Sequence, residues 1–228
     1  MAADDVPMTN YYHHIRREIG PLLPERATQI LEVGSGAGGT LKWLKTIYPE
    51  AETTGVELNS DLSEQLKRNA DIAIIGSIEE GLAKLKSYDL VLLLDVLEHL
   101  VDSTNMLRNI VQRLNTGGKV IVSVPNVAHL GVSLPLLLQR RFIYQNSGIL
   151  DRTHVKFFVE DTAVRLLNEA NLNVTMGLVS GLQGPKSKVL NRLTFGLLKH
   201  HLTRQYIMRG ERSDAAFVQR RVRWMIAK

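Results

Sequence analysis

Residues 30–39 read ILEVGSGAGG, a short apolar run followed by a loop with four glycines at positions 34, 36, 38 and 39. The run belongs to a predicted strand over residues 28–33, because its aliphatic residues stop at the first glycine. Glycine accepts positive φ angles and lets a ligand approach the backbone closely. A strand that ends in such a loop is typical of a sheet that binds a ligand beyond the carboxyl ends of its strands.

Strand-like and helix-like segments alternate beyond this loop. Further apolar runs predict strands at 52–58, 71–76, 90–96 and 118–126. The segments between the strands predict helices at 40–48, 60–70, 78–86 and 103–114. Near-continuous apolar strands are expected where helices cover both faces of a parallel sheet. The pattern therefore predicts an α/β fold with a doubly wound, mostly parallel sheet.

After residue 126 the alternation becomes less regular. We expect a substrate-loop region at about 126–158, a helix at 159–170, and strands at 172–179 and 219–227. A basic helical insertion at about 185–210 separates those two strands, and its leucines recur at helical spacing. The role of this insertion has three alternatives: it is a packing helix, a contact with a membrane surface, or a lid over an anionic substrate. Residues 1–228 are predicted to form a single domain.

Composition places the chain among ordinary globular proteins. Apolar residues make up 44% and charged residues 22% of its 228 residues, so disorder is not expected. The absence of cysteine excludes disulfides and thiolate metal sites and indicates a reducing compartment. The first ten residues contain acids and no apolar run, so no signal peptide is expected. We predict a cytoplasmic location, with peripheral contact at the inner face of a membrane as a further option.

The charge is unevenly distributed along the chain. The formal net charge is +5, yet residues 181–228 hold eleven lysines and arginines against only Glu211 and Asp214. A basic segment on an acidic body attracts anionic partners. An anionic membrane surface is therefore one expected partner, and a solvated basic face is the plain alternative. Nucleic acid is not an expected partner, because no recognised RNA-binding element accompanies the charge.

Acidic side chains gather where the predicted strands end. Glu32 stands two residues before the first glycine, and Glu57 ends the second predicted strand. The fourth strand runs into LDVLEHL, which places Asp95, Glu98 and His99 at the same edge of the sheet. Three of the loop glycines also fit the dinucleotide pattern G-x-G-x-x-G. However, a carboxylate beside the loop would repel a pyrophosphate and suits a cation, so the acids favour a positively charged nucleoside cofactor.

Four blocks together resemble class I S-adenosylmethionine-dependent methyltransferases, over roughly residues 10–180. They are ILEVGSGAGG, GVEL, LLLDVLEHL and GGKVIVSVPN. The resemblance implies a Rossmann-like sheet of seven strands with an antiparallel last strand, and S-adenosyl-L-methionine as the cofactor. It also implies an N-terminal cap helix at about 9–20, with Arg16 or Arg17 as a partner of the methionine carboxylate. DVLEHL, SVPNVAHLGVSLPLLLQRRFIY and GILDRTHVKFF more narrowly resemble a bacterial subgroup associated with polysaccharide and O-antigen biosynthesis.

The resemblance implies which residues contact each part of the cofactor. Glu32, Gly34, Ser35, Gly36 and Gly38 would line the methionine and ribose part, and Glu57 would accept from the ribose hydroxyls with Leu58 against the adenine. Gly76, Ser77 and Ile78 would hold the adenine edge, and Asp95 and Val96 would lie beneath the sulfonium. Many relatives have aspartate where this chain has Ser77. A hydroxyl accepts from the adenine amino group without the help of a charge.

GILDRTHVKFF, residues 148–158, encloses a polar run between apolar residues and is predicted to form the polar lip of an acceptor pocket. His154 and His99 are the candidate bases, because an imidazole titrates near neutral pH. Asp151 is the third catalytic candidate, and a histidine that bonds to it and only shapes the loop is the structural alternative. Glu98 with His99 alone is too little to predict a metal site, so none is predicted.

The leading interpretation is O-methylation of a sugar or another small or glycan-linked hydroxyl acceptor, with a histidine assisting deprotonation. Methylation of an aromatic or quinone-precursor hydroxyl is the nearest alternative. Two hypotheses come from other functional classes. One is a non-catalytic nucleotide-binding partner in a biosynthetic complex, and the other is a dinucleotide-dependent oxidoreductase.

Overall fold

The structure is a computed structural model and describes residues 14–212 and 222–227. Eight strands form one sheet in this part of the chain. They are β1 Gln29–Val33, β2 Glu52–Glu57, β3 Ile72–Ile75, β4 Tyr88–Leu94, β5 Leu114–Pro125, β6 Leu172–Ser180, β7 Gln205–Arg212 and β8 Arg223–Ile226. Their order across the sheet is β3-β2-β1-β4-β5-β7-β6-β8.

The helices lie mainly in the connections between strands. The α-helices are α1 Gly39–Ile47, α2 Ser63–Asn69, α3 Ile78–Gly81, α4 Ser103–Val111, α5 Leu130–Gln139, α6 Glu160–Glu169, α7 Pro185–Leu193 and α8 Lys199–Leu202. Short 3₁₀ helices occur at Arg17–Leu22, Ser60–Leu62, Leu82–Lys84 and Leu97–His99. No helix in the described ranges is long and apolar enough to cross a membrane.

The predicted α/β fold with a Rossmann-like, mostly parallel sheet is confirmed. Strands β1 to β5 pair in parallel, and β7 runs antiparallel between β5 and β6. Two details differ from the seven strands expected. The antiparallel strand is β7, and β8 adds an eighth strand that pairs in parallel with the edge of β6.

The antiparallel strand comes from part of the chain that was predicted to be helical. Of the basic insertion at about 185–210, the first half forms α7 and α8, but its last residues belong to β7. Tyr206, Ile207 and Met208 are buried there. Burial on both faces of the sheet makes this stretch continuously apolar, which a sequence pattern does not distinguish from a buried helix.

Helices cover both faces of the sheet. On one face the buried residues of α4 and α6 pack on the strands, among them Leu107, Ile110 and Leu167. On the other face Leu41 and Leu44 of α1 pack with Ile19 and Leu22 of the N-terminal 3₁₀ helix. The cap helix expected at about 9–20 falls partly outside the described residues, and the helical turn that is described begins at Arg17.

Candidate functional site

A cavity of about 580 Å³ opens at the carboxyl edge of the sheet. It lies between the ends of β1 and β4, where the strand order reverses, which is the usual ligand site of doubly wound sheets. All the predicted cofactor contacts line it except Gly38, which precedes α1 and faces Leu66 and Asn69. The lining residues from that set are Glu32, Gly34, Ser35, Gly36, Glu57, Leu58, Gly76, Ser77, Ile78, Asp95 and Val96.

The glycine loop is fixed by backbone geometry. Gly34 has φ of +68°, and a Cβ at this position would lie 2.8 Å from Cγ2 of Val96. The backbone N–H groups of Gly34 and Ser35 both donate to the carbonyl of Val56, at 2.9 and 3.1 Å. The loop therefore folds tightly between β1 and β2, and only glycine fits its first position without displacing Val96.

The carboxylate of Glu57 holds the loop from the neighbouring strand. One of its oxygens accepts from the N–H of Gly36 at 2.7 Å, and the other accepts from the N–H of Asn59 at 2.8 Å. The side chain is 6% exposed and lines the cavity. Because a carboxylate oxygen accepts more than one hydrogen bond, both oxygens keep capacity for ligand hydroxyls.

Glu32 is a buried acid in the cavity lining, and its carboxyl is only partly hydrogen-bonded. It is 3% exposed, and its Oε2 is buried with no hydrogen-bond partner within residues 14–212 and 222–227. Burial raises the pKa of this carboxyl to about 8, although Arg16 and the hydroxyl of Thr40 act in the opposite direction. An unsatisfied buried carboxylate is costly, so a cationic ligand group fits this position, as a sulfonium or an ammonium would.

Asp95 is at the centre of a polar network beside the cavity. It has φ of +58°, a strained conformation for a residue other than glycine. Its carboxylate accepts from Arg16 Nη1 at 2.8 Å and from the hydroxyl of Ser123 at 2.9 Å. Gln205 Nε2 also donates to it. Arg16, one of the two arginines predicted to pair with a cofactor carboxylate, is thus already bound within the protein.

The opposite end of the cavity offers an apolar face. Leu58 is 74% exposed, Ile78 is buried, and both line the cavity. The hydroxyl of Ser77 accepts from the N–H of Glu80, while the Glu80 carboxylate accepts from the N–H of Ser77. Ser77 therefore caps α3, and its O–H remains able to donate to a ligand.

The loop GILDRTHVKFF is fixed to the core, as its apolar ends suggested. Leu150 and Phe158 are buried, and the N–H groups of Val155 and Lys156 donate to the carbonyl of Glu98 at 2.9 and 3.1 Å. These two bonds attach the loop directly to the 3₁₀ helix that follows β4. The polar run therefore lies beside His99, which lines the cavity.

The two candidate bases are neighbours. The ring centroids of His99 and His154 are 4.8 Å apart, although His154 does not itself line the cavity. The Nδ1–H of His154 donates to the carbonyl of Ile149 at 3.1 Å, and burial lowers the pKa of the imidazole. Asp151 does not orient this ring. Its carboxylate instead accepts from the N–H and the hydroxyl of Thr153, at 2.8 and 2.6 Å.

Sequence reasoning missed two members of the network around Asp95, and it missed the partner of a third member. Ser123 gave a signal, since it is a polar residue inside the apolar strand β5, and it is fully buried. Gln205 gave none, because it reaches the site only through the antiparallel strand β7. Arg16 was predicted near the cofactor, but its partner Asp95 is separated from it by 79 residues and was not foreseen.

The fold together with this cavity defines a class, the class I S-adenosylmethionine-dependent methyltransferases. A family model described as a methyltransferase domain matches residues 8–176, so the chain belongs to that family. It is therefore an enzyme that uses S-adenosyl-L-methionine, and the acids and glycine loop of its cavity fit that cationic nucleoside.

Known proteins resemble the chain at low sequence identity. Methyltransferase str2 from Strobilurus tenacellus is 26% identical over 105 residues, which cover 46% of this chain and 38% of that protein. A SAM-dependent methyltransferase from Archaeoglobus fulgidus has a TM-score of 0.64 at 17% identity, covering 86% of this chain and 91% of that one. The mitomycin 7-O-methyltransferase MmcR has a TM-score of 0.52 at 17% identity, covering 82% and 49%. These structural likenesses show the shared fold.

Proposed function

We propose that the enzyme transfers the methyl group to the hydroxyl of a sugar or another small or glycan-linked acceptor. The observation that supports oxygen as the acceptor is the pair His99 and His154 next to the cavity. A hydroxyl must lose its proton as it becomes a nucleophile, and a positioned base accelerates such a step about 10²–10⁴-fold. MmcR, one of the fold neighbours, is by its name also an O-methyltransferase.

The cofactor, when bound, supplies an electrophilic methyl group on a sulfonium. The residues of this chain bind the cofactor and orient the acceptor hydroxyl. The glycine loop and Glu57 hold the nucleoside, and Glu32 loses its proton when the cationic cofactor binds beside it. The loop of residues 148–158 is bonded to the carbonyl of Glu98 and so brings His154 next to His99. In this proposal His154 takes the hydroxyl proton on the nitrogen that Ile149 leaves free.

Aromatic rings next to the loop support a ring-shaped acceptor. Phe142 packs edge-on against Tyr144 and Phe157, with ring centroids 5.6 Å apart in both pairs. Phe157 in turn lies 6.4 Å from the ring of His154. Rings of this kind stack on apolar faces of sugars and on aromatic acceptors. They therefore support the polysaccharide-linked reading and keep an aromatic or quinone-precursor hydroxyl as the second candidate.

The basic segment around α7 suits an anionic membrane as a partner, which would bring a lipid-linked acceptor to the enzyme. Lys186, Lys188 and Arg192 are exposed on α7 beside exposed apolar side chains. Residues 181–210 contain no acidic residue. Basic charge with exposed apolar groups is the combination that binds membrane surfaces.

Transfer of a labelled methyl group to a panel of acceptors tests the function. The panel holds nucleotide sugars, lipid-linked sugars, catechols and amines. We expect label in an alkali-stable ether of a sugar, and a loss of turnover of about 10²-fold in His154→Ala with cofactor affinity within a few-fold. Labelling of amines alone would contradict O-methylation, and normal turnover of His154→Ala would remove the proposed base.

A further inference from the structure

Three side chains with metal-binding atoms meet beside the cofactor cavity. Glu98 and His99 follow β4, and His154 comes from the loop bonded to them. One ligand atom from each of the three lies within 4.8 Å of the other two. The sequence alone offered only the Glu98–His99 pair, because His154 is 55 positions further along the chain.

Glu98 has no side-chain partner among the residues that the structure describes. The residue is 1% exposed, and within that part of the chain neither of its buried carboxylate oxygens has a hydrogen bond. No ion pair involving Glu98 occurs among residues 14–212 and 222–227. An unpaired buried carboxylate is costly, and a bound cation would satisfy both oxygens.

The two imidazoles are oriented in the way that metal-binding histidines are. The Nδ1–H of His154 donates to the carbonyl of Ile149 at 3.1 Å, and Nδ1 of His99 lies 3.3 Å from the carbonyl of Thr153. Since a carbonyl only accepts, these contacts place a proton on Nδ1, and in the neutral imidazole Nε2 is then the nitrogen with a free lone pair. Metal-binding histidines usually donate their second nitrogen to such an oxygen, which fixes the ring and its tautomer.

We infer that Glu98, His99 and His154 form a binding site for one divalent transition-metal ion. Two imidazole nitrogens and one carboxylate are the donor set that such ions bind, with further positions open to water or substrate. Imidazole donors favour Zn²⁺, Fe²⁺ or Co²⁺ over Mg²⁺ and Ca²⁺, which prefer oxygen.

The role of the ion rests on the proposed function. An acceptor hydroxyl bound to the ion would have a lowered pKa and would release its proton to solvent water, as metal-bound water does. An Nε2 that binds the ion cannot also accept the proton, so the metal and an imidazole base are alternative ways to deprotonate the acceptor.

The test measures metal binding without cofactor or acceptor, so it is independent of methyl transfer. The full chain, free of any affinity tag, is stripped with a chelator and titrated with Zn²⁺ by calorimetry and with Co²⁺ by visible absorption. We expect one ion per chain and ligand-field bands of Co²⁺ bound to nitrogen and oxygen. Glu98→Gln and His154→Ala should each weaken binding about 100-fold or more.

His201→Ala is the matched control, because His201 is an exposed imidazole outside the cluster. It should bind the ion as the unchanged protein does, and circular dichroism verifies that every variant is folded. The absence of stoichiometric binding, or equal binding by the unchanged protein and both cluster variants, would overturn the metal site. If methyl transfer then persists in chelator, the imidazole base remains and the proposed function is unaffected.

Discussion

At the scale of single residues, the protonation state of Glu32 should be coupled to the binding of a cationic ligand. The group lies near Arg16, Glu57 and the hydroxyl of Thr40, and burial is the largest influence on its pKa, which is about 8. In the ligand-free protein the carboxyl is therefore mostly protonated at neutral pH. Its folded pKa lies above the ordinary value of 4.5, so its contribution to stability is present below pH 4.5 and is lost as the pH rises through about 8.

A cation that binds beside Glu32 should favour the ionised form and release its proton. We predict that between pH 6 and 8 the affinity for S-adenosylmethionine rises with pH, by at most about tenfold per pH unit. Calorimetry in two buffers of different ionisation enthalpy would count the released proton. In Glu32→Gln the release should disappear and the pH dependence should flatten, whereas an unchanged proton count would show that another group titrates.

Glu57 provides a second prediction at this scale. Replacing it with alanine removes a charged acceptor from the cavity and also frees the N–H groups of Gly36 and Asn59. Hydrogen bonds to a charged group contribute about 1.5–3 kcal/mol each, so the affinity for S-adenosylmethionine should fall at least tenfold. Calorimetry on folded protein checks this value. Undiminished affinity would remove Glu57 from cofactor binding.

Most of the cavity could be predicted from residues that stand at the ends of predicted strands. Glu32, Glu57 and Asp95 are such residues, because parallel strands bring their carboxyl ends to one edge. Gln205 and the His99–His154 contact could not be predicted in the same way. They depend on which strand pairs with β5 and on where the loop of residues 148–158 folds back, and no local pattern encodes either.

At the scale of secondary-structure elements, the first six strands were predictable and the last two were less so. The parallel strands follow the regular alternation with helices, so their positions and direction are set by short connections. The sequence pattern predicts helix where β7 lies, because an apolar run that is buried on both faces has no strand alternation. The edge strand β8 has only four residues, so its sequence pattern is too short to fix its direction.

The packing of β8 on β6 can be tested at Gly177, which lies against the Trp224 ring. A Cβ at this position would lie 2.5 Å from Cζ3 of Trp224 and 2.9 Å from the carbonyl of Ile207. Because the carbonyl belongs to the sheet and cannot move away, Gly177→Ala should displace Trp224 and lower the free energy of unfolding by about 1–3 kcal/mol. Urea denaturation measures the loss, and tryptophan fluorescence reports the displacement.

Gly20→Ala is the control for this change, since no atom of the described residues lies within 4 Å of the added methyl group. Its unfolding free energy should stay within about 0.5 kcal/mol of the unchanged protein. If the two variants were equally stable, Trp224 would not be packed on Gly177 as described.

At the scale of the whole molecule, basic charge and exposed apolar groups coincide in the segment around α7. Leu193 is 71%, Phe195 95% and Leu197 82% exposed. The exposed lysines and arginine of α7 lie in the same short segment, which has no acid to neutralise them. A solvated basic face would explain the charge but not the three apolar side chains in water. A membrane surface would use both.

We therefore predict that the protein binds vesicles containing phosphatidylserine and that binding weakens as salt is added. Each basic residue near an anionic surface contributes about 1 kcal/mol, so the pair Lys186→Glu and Lys188→Glu should reduce binding at least tenfold in a vesicle sedimentation assay. The pair Lys67→Glu and Arg68→Glu on α2 changes the net charge equally and should have little effect. Phe195→Ser should weaken binding without changing its salt dependence, because it removes apolar contact and leaves the charge intact. If neither pair of substitutions weakens binding, or if both weaken it equally, the segment around α7 is not the membrane surface.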